Sequence, residues 1–289
     1  MLDRADIALG IVPGPVLPIR QMVLGRPVSE VVALLPRVFN LCRMAQEGAA
    51  RLAFGLDLPP GWTGDLAQEI ARDHALLLGL RLPARLGLAP LPVAQGDLAQ
   101  VFGVAGFPDD PDGFQRFLTT GTGIAPVLAA VDRLFAPGVA VADALPPVGA
   151  RPDGALRACE NSVAARHAGH PVMRHLAQTR GRGPLWRLVG RALDLRAALV
   201  GDLPAPQLGA GWAAVPAARG LYTVSAQAVD GHVTAFDRRT PTDHLLAPGG
   251  ILRQSLDSLP VDAHARLPLL LDILDPCSPV TVSGGPGDA

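Results

Sequence analysis

The sequence predicts a mainly α protein with a small antiparallel β part, an α+β chain, on three observations. Apolar residues recur at helical spacing through residues 28–54, and a second helical pattern runs from Ala155 to Leu203. A β-prone stretch, GLYTVSAQAVDGHVTAF, alternates around an Asp230-Gly231 pair, the strongest short-range hairpin signal in the chain. Of the 289 residues 49% are apolar, enough to bury one substantial core or two modest ones.

In the first segment Val31, Leu34, Leu35, Val38, Leu41, Cys42, Ala45, Ala49 and Leu52 fall at three-four spacing, which reads as a buried helical face with Cys42 on its inner side. After the Pro- and Gly-rich GLDLPPGWTG, a helix is expected from about Leu66 to Leu80, ending in the Pro-broken RLPARLGLAPLPVAQG. Asp and Pro in PDDPDGFQRF stand where a helix starts, and Val127 to Phe135 reads as another helix, closed by Pro137-Gly138. Beyond Ala155, GRGP at 181–184 punctuates two helices. After the hairpin, SLPVDAHARLPLLLDILDP is a short apolar element that delivers the chain to Cys277.

Composition narrows the function classes. All 25 basic residues are Arg, scattered rather than gathered on a stripe, and the net charge is −1, so nucleic acid is not an expected partner. No apolar run reaches the roughly 18–20 residues of a membrane span, because Asp132-Arg133 interrupt the best candidate; no membrane insertion is expected. The start, with Asp3 and Asp6 before a Pro-broken apolar stretch, matches neither a secretory nor a twin-Arg leader. Three Cys in a long chain suggest no disulfide framework and fit a reducing, cytoplasmic compartment.

Candidate chemistry reduces to the cysteines. His167, His170 and His175 in RHAGHPVMRH do not share one helical face and lack Cys or carboxylate at a zinc-like interval, so they read as solvated or capping residues. TTGTGIAP lacks the Lys of a phosphate loop and reads as a turn, and no G-x-S-x-G elbow occurs. Cys42 taken alone reads as a small core residue, as does Cys159. Cys277, after Asp275-Pro276 in a loop, is not at an obvious packing position, so Cys42 and Cys277 are considered together.

Here the chain resembles the large subunits of nickel–iron hydrogenases. RVFNLCRMAQ is similar to their N-terminal R-x-C-G-x-C-x-x-x-H motif: Arg37 and Cys42 are kept, Phe39 and Asn40 stand where the first Cys and the Gly belong, and Gln46 replaces the His. DPCSPVTVS is similar to their C-terminal D-P-C-x-x-C-x-x-H, with Val280 for the second Cys and Ser283 for the His. Between the ends, LGRPV, ENSVAAR and AARGLYTVSAQAVDGHVTAFDRRTPTDH resemble further family stretches. The resemblance implies a reduced large-subunit fold whose N- and C-terminal motifs meet in the centre, and hence one domain over 1–289. It also implies that Cys42 and Cys277 are metal ligands, with Arg219 and Thr242 as donors to the two cyanides of an iron that carries two cyanides and a carbonyl.

Elementary electrostatics supports keeping those positions. Ferrous iron with two cyanides is neutral, two thiolates make the complex a dianion, and burying it requires aimed donors and a nearby cation. Nickel would need the missing thiolates, so no nickel is expected. Arg20, aligned with the family's proton-gating Glu, cannot shuttle protons, so no hydrogen chemistry and no enzyme activity are expected. With Ser283 in place of the final His, only GGPGDA follows. These departures resemble the HupK/HoxV group of hydrogenase expression and formation proteins. What that implies is a non-catalytic, cytoplasmic assembly scaffold. It would take the iron–dicyano–carbonyl fragment from maturation chaperones of the HypC/HypD type and pass it to an apo-hydrogenase large subunit. Two rivals stay open: a metal-free structural or interaction protein, and an enzyme using an iron-only site or a reactive Cys277. A carrier also requires a mobile lid or a partner-covered mouth over its site.

Overall fold

The computed structural model describes residues 9–39, 41–93, 98–103, 106–149, 151 and 154–284. Strand β1 (Gly10–Pro13) leads through α1 (Ile19–Val23) to α2 (Val28–Val38) and α3 (Arg43–Ala53). These last two correct the sequence reading. The continuous periodicity belongs to two helices, broken where Phe39 is extended (φ −114°, ψ 134°) and Cys42 is left-handed (φ 52°). Pro36, near the end of α2, removes one donor from the helical ladder just before the break. The spacing misleads because each helix lays its own apolar face on the core: Val31 and Leu35 from α2, Ala45 and Ala49 from α3 are buried, whereas Leu41 at the break is 39% exposed.

Helix α4 (Trp62–Leu76) runs on through a π-helical turn (Leu77–Arg81) into α5 (Leu82–Leu86), past the expected stop near Leu80. Pro83 falls at the start of α5, and the Gly79 carbonyl, four residues before it, accepts instead from the Leu91 amide at 2.8 Å. The wide turn thus absorbs the missing proline donor. Helix α6 (Pro111–Phe117) starts where expected, with the Asp110 carboxylate accepting from the Gly113 amide at 2.8 Å, and α7 (Ala125–Leu134) follows. Next come α8 (Val163–Arg166), α9 (Pro171–Thr179) and the long α10 (Pro184–Leu199). Helix α10 lies at the centre of the helical part, against α4, α7, α8 and α9. Its residues Leu185 to Leu195 are all buried.

The chain then forms an antiparallel meander, β2 (Gln207–Gly209), β3 (Trp212–Ala217), β4 (Gly220–Val229) and β5 (His232–Arg239), in that spatial order. Asp230 and Gly231 both have positive φ (49° and 75°), the two-residue turn their identities predict. Helix α3 packs on β3 and β4, where Ala213, Ala214 and Ala217 let it approach. Helices α11 (Pro241–Leu246), α12 (Ile251–Asp257) and α13 (Leu267–Leu274) precede β6 (Val280–Ser283). Strand β6 pairs antiparallel with β1, from Gly10 opposite Ser283 to Pro13 opposite Val280. The two ends of the chain are thereby clasped together, and buried apolar residues from Leu9 to Ile273 form one contiguous cluster. Among the described residues no helix is long and apolar enough to cross a membrane.

Candidate thiol site

Cys42 and Cys277 open into one cavity of about 340 Å³. Cys42 occupies the N-cap position of α3 in the left-handed conformation, which costs a non-glycine residue of the order of 1 kcal/mol and is held here by neighbours. Buried Gln46 donates its amide to the Leu41 carbonyl at 3.0 Å, and its backbone N–H bonds the Cys42 carbonyl at 3.0 Å. Cys277 arrives by a different route. Helix α13 ends in left-handed Asp275 (φ 47°), Pro276 forbids continuation, and the Cys277 N–H donates to the Thr242 hydroxyl at 2.8 Å. Thr242 can serve this loop because α11 is started by a capping box, in which Thr240 and Asp243 exchange side-chain bonds with each other's amides at 3.1 and 2.7 Å.

Arg219 lies between the two thiol-bearing segments. It occupies the two-residue turn joining β3 to β4, yet is only 7% exposed. Its Nε donates to the Asp275 carbonyl at 3.0 Å, its Nη2 pairs with the Asp275 carboxylate at 3.0 Å, and its Nη1 is 3.7 Å from the Cys42 sulfur. Asp73 on α4 adds a second carboxylate: its Oδ1 accepts from Nη2 at 3.4 Å, and its Oδ2 is 3.2 Å from Nη1 without hydrogen-bond alignment. The turn itself is pinned by Arg166 of α8, which donates to the carbonyls of Ala217 and Gly220 on either side of it. Gly220 is required there, because a Cβ would stand 2.3 Å from the Asn161 carbonyl oxygen, and its φ is 149°.

The burial of Cys42 in low dielectric pushes its pKa up to about 12. Arg219 works against that rise, while Asp73, Glu69 and Cys277 add to it. Burial also acts on Asp275, but Arg191, Arg219 and Arg81 outweigh it and hold the carboxyl down at about 2. In this state Cys42 is a neutral thiol beside a permanent guanidinium. A thiophilic metal that displaces its proton converts it into an anion the arginine already faces.

A charged stripe on α10 fixes the frame around the cavity. Arg187, Arg191 and Asp194 recur at helical spacing on this buried helix. Arg187 forks onto Glu160 (3.2 and 3.1 Å), Arg191 reaches Asp275 at 2.9 Å, and Asp194 accepts from Arg166 at 3.0 Å and lies 2.9 Å from both His74 and His167. ENSVAAR, the chain from Glu160 to Arg166, is therefore structural support for the Arg219 turn.

The four residues singled out in the sequence converge on one region, in two roles. Cys42, Cys277 and Arg219 line the cavity itself, whereas Thr242 lies beneath the Cys277 loop and faces a smaller void shared with Arg191 and Asp275. Arg20 is exposed. His170 caps α9, accepting from the Val172 amide at 3.3 Å. Cys159 is buried, with its sulfur 2.9 Å from His244 Nδ1, and burial pushes its pKa up to about 11. Asp73, Arg81, Arg166, Arg191, Asp194 and Arg238 were not picked out in the sequence. For Arg166, the last residue of ENSVAAR, and Arg238, in the DRRTPTDH end of the hairpin stretch, the resembling segments held a signal. Among the described residues no group of three or more His, Cys, Asp or Glu is arranged to hold a metal ion.

Two chain ends clasped together, with one cysteine from each lining a cavity beside a buried arginine, give the chain the fold of nickel–iron hydrogenase large subunits. The Ni-Fe-Se hydrogenase of D. vulgaris Hildenborough aligns with a TM-score of 0.58 at 14% identity, over 91% of this chain and 92% of that one. An NAD+-reducing [NiFe]-hydrogenase aligns with a TM-score of 0.56 at 14% identity, over 91% and 90%. No family model matches the chain. The hydrogenase expression/formation protein HupK of Rhodobacter capsulatus is 46% identical over 280 residues, 96% of this chain and 93% of that protein. The chain belongs to the HupK family.

Proposed function

We propose that this protein acts in hydrogenase formation, as the name of its Rhodobacter relative indicates, and that it does so as a non-catalytic cytoplasmic carrier. Cys42 and Cys277 hold the iron–dicyano–carbonyl fragment transiently, received from chaperones of the HypC/HypD type and released to an apo-hydrogenase large subunit. The observation that carries this reading is the convergence of two thiols from opposite ends of the chain on one cavity with Arg219. Two protein ligands are too few to hold a bare ion well. They suit an iron that arrives with three ligands of its own. The dianion formed on binding faces Arg219, while the Thr242 hydroxyl, outside the cavity, accepts from the Cys277 amide and so holds the loop that presents this thiol.

The test is infrared spectroscopy of protein purified anaerobically from a host that expresses the maturation machinery. Cyanide and carbonyl bands are expected in the wild type and lost in Cys42→Ala and in Cys277→Ala. A silent wild-type spectrum favours the rival reading, a metal-free interaction protein of hydrogenase assembly.

A further inference from the structure

A second guanidinium faces the thiol cavity. Arg238 on β5 lines it together with Cys42, Cys277 and Arg219, and stacks 4.6 Å above the ring of Phe39. The buried Tyr222 is another lining residue. The two arginines differ in how their charge is paired. Arg219 is paired with Asp73 and Asp275, whereas among the described residues no carboxylate lies within ion-pair distance of Arg238. The acid in the wall, Asp243, is committed to the Thr240 amide at 2.7 Å.

We propose that Arg238 makes this cavity selective for an anionic occupant. The identity of that occupant rests on the carrier reading above; the selectivity does not. Two thiols that bind a bare divalent cation release two protons and form a neutral pair of metal–thiolate bonds, to which a nearby guanidinium contributes little. Two thiols that bind a neutral cyano-iron unit form a dianion, which the same guanidinium stabilises directly. A cation fixed by stacking on Phe39 therefore separates the two cargoes by charge rather than by ligand set. A guanidinium keeps its proton at all working pH values, so the filter does not depend on pH.

Two measurements test this, the first without any cargo. Cys42 and Cys277 are alkylated with iodoacetate, an anion, and with iodoacetamide, its neutral analogue, and the rates are followed by mass spectrometry. The ratio of the two rates cancels the thiolate fraction and reports the charge the reagent meets. It is expected to fall several-fold, up to about tenfold, in Arg238→Gln and to be retained in Arg238→Lys. An unchanged ratio in Arg238→Gln overturns the proposal. The second measurement is the loss of cyanide and carbonyl bands over time, expected to be at least about tenfold faster in Arg238→Gln, with cobalt(II) affinity within about twofold of wild type. Equal retention of the bands, or an equal loss of cobalt binding, also overturns it. If the alkylation ratio falls but no protein shows bands, the carrier reading fails and the anion selectivity stands.

Discussion

Asp194 has no exposed surface, yet it collects Arg166, His74 and His167 around one carboxylate. Burial alone would raise its pKa, but Arg166 and the two imidazoles hold it well below the usual carboxylate range. Its contribution to stability is therefore complete above the unfolded value near pH 4 and is lost as pH falls below that. Asp194→Asn leaves the Arg166 guanidinium buried without its partner, and is expected to cost about 3–5 kcal/mol at pH 7 by urea denaturation. The gap between variant and wild type should narrow as pH falls from 4 to 3; a gap that stays constant means the carboxylate charge is not what stabilises. Residues of this kind are the least legible in a sequence. His74 and Asp194 lie on different helices with no local pattern linking them, and the place of Arg238 over Phe39 is set only when the chain folds. Cys42 and Cys277 were legible because rare residue types stand in motif context, and Arg219 because its motif survives as ARG.

Among the elements, α10 shows how tightly the frame is set. A Cβ on Gly190 would come within 2.4 Å of the Ala164 Cα on α8, the helix that also carries Arg166. Gly190→Ala is expected to destabilise by about 1–3 kcal/mol despite the better helix propensity of alanine. Gly64 on α4 has nothing within 4 Å of the added Cβ, and Gly64→Ala should stabilise by roughly 0.5–1 kcal/mol. Thermal melts of the two variants should shift in opposite directions. The hairpin at Asp230-Gly231 and the helices opened by Asp110 and Pro184 could be read from the sequence, because each is dictated by a residue with few backbone alternatives. The α2–α3 break could not, since the left-handed residue that makes it is a cysteine rather than a glycine, and the apolar spacing carries across it. Strands β1 and β6 were also hidden: each is four residues long, and their pairing is set by the whole chain returning to its start.

For the whole molecule, the β1–β6 clasp borders the cavity. The cavity walls include Pro15, Val16 and Leu17, just after β1, and Ser278 and Pro279, just before β6. A two-stranded ribbon is marginal by itself, so this clasp is the part of the structure best suited to open. Val12 and Thr281 are opposed in its register, and both are exposed. Directly opposed strand residues have a Cα separation that suits a disulfide. Under the proposed carrier function, a V12C/T281C disulfide is expected to leave the fold intact and to slow transfer of the iron fragment at least about tenfold, with reduction restoring the rate; the measurement is decay of the infrared bands in the presence of an apo large subunit. Unchanged transfer in the oxidised protein would place the opening elsewhere.

The two thiols also impose an order of events. Bringing residues 42 and 277 together closes a loop through most of the chain, an entropic cost that the packing of the elements between them must offset. Under the carrier function proposed above, the site that receives iron is assembled by folding itself, so capture doubles as an inspection: a misfolded or clipped copy presents two solitary thiols with no arginine between them.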